Sequence, residues 1–429
     1  MFITSTNNTN TKTTTWKVVL PFYLYAAVSF LAATILLFLS CNKFLIHYFQ
    51  PNILAITHIM ALGWGTMIIL GASHQLVPVI VEGKLYSNKL AYASFILAAI
   101  GIPLLVHAFY VFNFGWIAQL GGSLIILAIV CYLINLGKSI SQSNSQNIHA
   151  IFVFTASLWL LVATFLGLVL VFNFSTFFMQ QNSVYYLPLH AHIGIVGWFL
   201  LLIIGVGARL IPMFLISKYV NEKLLKAIYY LINFSLISFI IFFYIPVLWK
   251  YFLVSYIALL AGIILFIIYC RKAYTKRIRK AVDEQMKISL LSAAIMLIPL
   301  LLLAVIIFLF TYSTQTNNII LAYGFLIFFG WITAIILGMT FKTLPFIVWN
   351  KVYHIQSASG KTPNPKDLFN NKLFTAMSIC YIVGIVFFVV GILSAIIILL
   401  QIGAALLIAT AFLYNYNVIK ILLHKPVKL

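Results

Sequence analysis

Charge is what this sequence has least of. Asp, Glu, Lys and Arg make up 7% of its 429 residues, against about 25% in soluble globular chains. That excludes a soluble enzyme, a disordered protein and a peripheral membrane protein. Cysteine is also scarce: there are four, scattered, with no CxxC and no CxxCH. A disulfide scaffold and covalent c-type haem attachment are therefore excluded. Carboxylates are nearly as rare, five in all: Glu82, Glu222, Asp283, Glu284 and Asp367. The first fifteen residues, rich in Thr and Asn, lack the basic start and small-residue cleavage site of a signal peptide and read as a short polar tail.

What the chain has instead is apolar length. Hydrophobic residues are 64% of it, and its mean hydropathy is +1.12. Runs of about 20 apolar residues, each long enough to cross a hydrocarbon core, recur throughout. They place twelve spans at 18–40, 52–80, 88–112, 114–137, 148–173, 187–214, 223–247, 249–270, 288–312, 318–348, 373–394 and 396–418. The expected organisation is an all-α polytopic membrane protein, with a polar tail over 1–17 and one twelve-helix domain over 18–429. Lys and Arg then sort by side. The tails and the even-to-odd connections hold 22, and the opposite side holds two, Lys43 and Lys250. Arg209 and Lys342 fall near span ends. The positive-inside rule predicts a multi-pass protein of the bacterial inner membrane with both termini cytoplasmic. The net charge of +21 is thus a topology signal with modest attraction to anionic lipid, not a nucleic-acid footprint. All five carboxylates fall in cytoplasmic connections. None lies inside the membrane, which counts against proton-coupled transporters and pumps.

Three segments align without gaps: 57–84 (THIMALGWGTMIILGASHQLVPVIVEGK), 191–218 (AHIGIVGWFLLLIIGVGARLIPMFLISK) and 324–351 (GFLIFFGWITAIILGMTFKTLPFIVWNK). Six columns are identical in all three: Gly63/Gly197/Gly330, Trp64/Trp198/Trp331, Ile69/Ile203/Ile336, Gly71/Gly205/Gly338, Pro78/Pro212/Pro345 and Lys84/Lys218/Lys351. Apolar bias inflates chance matches, but it does not put Gly-Trp, Gly, Pro and Lys in one register three times. Each segment covers the second span of a group of four. The chain therefore reads as three four-helix units, about 18–137, 148–270 and 288–418, rather than as two six-helix halves.

With so little else polar, the nine histidines carry the functional reading. His47, His354 and His424 fall in loops or tails and His149 at the cytoplasmic start of a span; these are expected to be solvated. His58 and His192 share a repeat column, a turn or two below the outer surface, where the third unit has Phe325. An imidazole there must face the bundle interior and find a partner. A hydrogen-bonded structural histidine and a metal or haem ligand are the two readings. His190 and His192 are two apart, about 200° around a helix, so their rings serve opposite faces. His74 lies about 24 Å further along its helix than His58 and reads as structural. His107, at the depth of His58 and His192, is a further ligand or a neighbour. Gln75, Arg209 and Lys342 share a column near the cytoplasmic face, as snorkelling anchors or an anion or quinone-headgroup site.

These residues carry a resemblance. HAHIGIVGWFLLLIIGVGARLIPMF, from His190 to Phe214, resembles the haem-binding His-x-His helix of haem-copper oxidase subunit I, nearest the cbb-type oxidase and nitric oxide reductase branch. THIMALGW, from Thr57, resembles the same pattern and stands where that family's early low-spin haem histidine stands. Twelve spans in three pseudo-symmetric arcs is that family's architecture. The chain is also similar to the NnrS family, twelve-span haem- and copper-containing membrane proteins linked to nitric oxide metabolism. The resemblance implies His58 and His192 as axial ligands of a low-spin b-type haem and His190 as proximal ligand of a second haem. It implies a role in respiratory electron transfer or in nitric oxide or oxygen handling, with a membrane or periplasmic electron donor. The chain departs from the pattern. The family has its His-x-His in the third arc, and this chain has it in the second. No His-His pair and no histidine with a downstream tyrosine marks a copper site, for which only His107 remains. A reductase subunit that borrows missing groups from a partner, and a transporter whose histidines line a pathway, are the competing readings.

Overall fold

The computed structural model describes residues 14–143, 147–245, 249–278, 280–310, 317–353 and 362–426. Among them, twelve helices are long and apolar enough to cross a membrane: α1 (Trp16–Leu39), α2 (Pro51–Ile80), α3 (Asn88–Tyr110), α4 (Trp116–Ser141), α5 (Ile148–Thr176), α6 (Leu187–Leu215), α7 (Glu222–Tyr244), α8 (Phe252–Thr275), α9 (Glu284–Leu309), α10 (Asn317–Tyr353), α11 (Asn371–Ser394) and α12 (Ile397–Leu422). The expected spans are all present. The largest departures are at the polar ends, where α8 runs on to Thr275 and α10 to Tyr353, because helical hydrogen bonding continues past the apolar stretch. The polar tail is not free throughout: Thr14 is buried and donates to the carbonyl of His74 at 2.8 Å.

Three helices form the centre. The most apolar stretch of α2, α6 and α10 is 61–72% buried, against 28–44% in the other nine. Those three carry the repeat. Their packing recurs in cyclic order: α2 packs on α1 and reaches α5, α6 packs on α5 and reaches α9, α10 packs on α9 and reaches α1. The circuit closes where α12 packs on α1. The repeat glycines explain the close approach. A Cβ at Gly71, Gly205 or Gly338 would strike Phe22 of α1, Phe152 of α5 or Ser289 of α9 respectively.

The side of the even-to-odd connections is fixed by polar caps. Ser87, Asn147, Asn221, Asp283 and Asn370 each accept from a backbone N–H in the first turn of α3, α5, α7, α9 and α11. Two of these caps are themselves clamped. Asn135 of α4 bonds both the N–H and the carbonyl of Ser87, each at 2.9 Å. Asn417 of α12 does the same to Asn370, at 2.9 and 3.2 Å.

Each central helix also leaves α geometry in the same place. The π-helical turns Ile59–Thr66, Ile193–Leu200 and Leu326–Ile332 contain the Gly-Trp columns. A π turn in a helix often marks a functional site. The indoles link the helices. Trp198 Nε1 donates to Thr66 Oγ1 at 3.0 Å, and Trp64 Nε1 to Thr333 Oγ1 at 3.1 Å. The matching position beside Trp331 is Leu200, which offers no oxygen.

Candidate functional site

His58 closes the α-helical start of α2, and the π turn begins at the next residue. Its Nδ1 lies 2.8 Å from the carbonyl of Leu54, one turn earlier. A carbonyl only accepts, so Nδ1 carries the proton and Nε2 presents a lone pair. His190 of α6 is fixed the same way from another helix: its Nδ1 lies 3.0 Å from the carbonyl of Ala163 in α5. Gly167, one turn along α5, makes room for the ring, since a Cβ there would sit 2.8 Å from His190 Cε1. The two imidazoles are neighbours, with ring centroids 6.4 Å apart and planes 14° from parallel. Phe109 of α3 covers His58 at 4.5 Å. Both histidines are half-buried, while eight residues further along Trp198 is 1% exposed.

The family resemblance pairs His58 with His192; the structure brings His58 beside His190 instead. The reason is the rotation across His190-x-His192 combined with the order of the helices. His190 turns toward α2 and α5, and His192 turns toward α10. His192 Nδ1 faces the carbonyl of Pro188 at 2.7 Å, and Tyr323 of α10 donates its hydroxyl to His192 Nε2 at 3.2 Å. Both nitrogens of His192 are therefore engaged, whereas among the described residues His58 and His190 have a hydrogen-bond partner only at Nδ1.

Tyr323 was legible in the repeat but carried no motif. One residue before the aligned segments stand Ile56, His190 and Tyr323. This column meets the histidine column of the preceding unit: His190 meets His58, and Tyr323 meets His192. The third combination would join Ile56 and Phe325, and Phe325 instead stacks on Phe329 and Phe388. The three edges around the central helices thus carry an imidazole pair, an imidazole–phenol pair and an apolar contact surface.

The remaining histidines sort by contact. His107 is exposed on α3, and Phe109 takes the place beside His58. His149, expected to be solvated, is buried and its Nδ1 bonds the carbonyl of Gly205 at 2.9 Å. It sits on the face of α5 that the repeat glycine admits to α6. His47 accepts from the N–H of Phe49 at 3.0 Å. His424 is half-buried against the Tyr353 hydroxyl at 2.9 Å; burial and the nearby Lys420 push it below the usual imidazole range. His354 lies outside the described residues. His74 is 1% exposed, between the rings of Phe22 and Tyr132. Of the Gln75, Arg209 and Lys342 column, Lys342 is ion-paired with Asp283 of the α9 cap rather than snorkelling freely, and Arg209 is exposed.

Among the described residues, no three His, Cys, Asp or Glu side chains converge on one metal position, so a three-imidazole copper site has no donor set there. A haem iron needs only its two axial ligands from protein. Two imidazoles bound through Nε2 at about 2 Å place their centroids about 6 Å apart. The His58–His190 centroid separation of 6.4 Å matches that spacing, and both Nδ1 atoms are tied to carbonyls, the kind of bond that orients a ligating imidazole. No protein-family model matches the chain, and no curated protein matches it.

Proposed function

We propose that this chain is an integral membrane b-type haem protein whose haem would be held by His58 and His190, acting in respiratory electron transfer. In this reading the repeat segments are related by rotations of about 120°, in an arrangement like that of haem-copper oxidase subunit I and NnrS. The termini are cytoplasmic, the site lies in the outer half of a bacterial inner membrane, and the electron donor is a membrane or periplasmic partner.

One observation carries the reading. Two imidazoles from different helices stand 6.4 Å apart and nearly parallel, each anchored at Nδ1 and open at Nε2. A bound haem would supply one-electron redox chemistry. The protein's part is to fix both rings before binding and to line the site with Phe109 and the α5 backbone. With His58 and His190 both holding it, a bound haem would supply electron transfer rather than binding of a gas. The engaged nitrogens of His192 speak for one such haem rather than two.

The test is a reduced-minus-oxidised spectrum of protein purified from haem-supplied cells. Wild type is expected to show sharp low-spin b-type bands. His58→Ala and His190→Ala are each expected to lose them, and His192→Ala to keep them. A wild-type protein without a Soret band refutes the reading and favours the transporter. Loss in His192→Ala but not in His190→Ala restores the family's own ligand pattern.

A further inference from the structure

The edge between α2 and α6 carries two features at once: the His58–His190 pair and the Trp198–Thr66 hydrogen bond. Thr66 lies eight residues after His58, and Trp198 eight after His190. The bond therefore joins the same two helices at matched distances from the two rings. It runs through the π turns that follow the histidines, and it is dry, with Thr66 5% and Trp198 1% exposed. Beside it, Gly65 faces Phe199, where a Cβ would lie 2.7 Å from the ring, so the helices already approach closely there.

The other two edges act as internal comparisons. The edge between α10 and α2 has the equivalent bond, Trp64 to Thr333, and no imidazole pair. The edge between α6 and α10 has Leu200 in place of the threonine, so the fold closes without that bond.

We propose that the Trp198–Thr66 hydrogen bond sets the separation of α2 and α6 at which His58 and His190 span a single iron. Thr66 and Trp198 are thus positioning residues of the haem site proposed above, on which this inference rests. An indole N–H in a dry interface with one acceptor holds direction as well as distance. Without it, the π turns can relax, and the distance between the two Nε2 atoms is no longer fixed.

Four variants test this: Thr66→Val and Trp198→Phe remove the bond, Thr66→Ser keeps an acceptor, and Thr333→Val removes the equivalent bond at the edge without an imidazole pair. In haem-loaded protein, Thr66→Val and Trp198→Phe are expected to raise the five-coordinate, CO-binding fraction roughly tenfold. Thr66→Ser and Thr333→Val are expected to keep the wild-type spectrum. A second readout needs no haem. With Cys41, Cys131, Cys270 and Cys380 replaced by alanine, spin labels at Gln50→Cys and Tyr185→Cys report the distance between the outer ends of α2 and α6. That distance is expected to lengthen or broaden in Thr66→Val and Trp198→Phe only. An unchanged spectrum or an unchanged distance in both bond-removing variants overturns the proposal, as does a Thr333→Val protein that behaves like Thr66→Val. Wild type that binds no haem would refute the haem reading, while the spin-label distances would still decide whether the bond sets the spacing.

Discussion

Gly167→Ala gives the sharpest test of how His190 is held. The added Cβ would sit 2.8 Å from His190 Cε1 and 3.6 Å from its Nε2. Ordinary carbon contacts begin near 3.4 Å, so the ring must retreat by about 0.6 Å. It cannot simply swing aside, because its Nδ1 is tied to the carbonyl of Ala163, one turn away on the same helix. The ring therefore breaks that bond or α5 and α6 part, and either movement shifts Nε2 relative to His58. Overpacking of this kind costs about 1–3 kcal/mol, which is roughly 5- to 150-fold in haem affinity. The same overpacking acts on the apo-fold, where the roughly 0.5–1 kcal/mol that Gly→Ala adds inside a helix offsets only part of it. The assay is haem titration into apo-protein, followed at the low-spin bands, with thermal unfolding of the apo-protein alongside. Gly324→Ala is the control, because a Cβ there meets nothing within 4 Å. A Gly167→Ala protein with wild-type affinity and spectrum would falsify the account of His190 as a ring wedged between a carbonyl and a glycine.

Two further outcomes are expected. Tyr323→His places a second imidazole opposite His192, at the edge equivalent to His58–His190; the haem-to-protein ratio, measured by pyridine haemochrome, should rise from one toward two, and an unchanged ratio would deny the equivalence of the edges. Asn417→Leu strips both backbone partners from Asn370 and is expected to lower stability by about 2–3 kcal/mol, read as a drop in the melting temperature in detergent without a change in the haem spectrum; a melting temperature equal to wild type would show that the clamp on α11 contributes little.

The twelve spans and the threefold register were legible because lipid leaves so few choices. A span must be apolar and about 20 residues long, and a close helix crossing takes a small residue such as glycine. Gly71, Gly205 and Gly338 stood out as identical columns of the repeat, but which helices they meet, α1, α5 and α9, is a matter of packing that the sequence does not show. The π turns were not legible, because no residue type requires them, and Gly-Trp sits as well in an ordinary helix. Nor was the Trp–Thr link, since the threonine column reads Thr66, Leu200 and Thr333, and one mismatch hides it among apolar neighbours.

The histidine pairing shows where pattern and geometry part. Sharing a repeat column makes His58 and His192 equivalent, and because each ring points around the centre rather than into it, they do not meet. In a cyclic arrangement, equal positions point the same way around the ring, so each faces the next unit rather than its own copy. The partner of a histidine must therefore come from a different column of the following helix. That column is Ile56, His190 and Tyr323, two residues before the histidines. Read this way, His58 finds His190, His192 finds Tyr323, and the position of Phe325 is matched by Ile56. The same rule relates Trp198 to Thr66 and Trp64 to Thr333, two columns apart in the opposite sense. A repeat in this chain thus marks the direction in which each residue looks for its partner, and only one of its three edges brings together two imidazoles with free nitrogens.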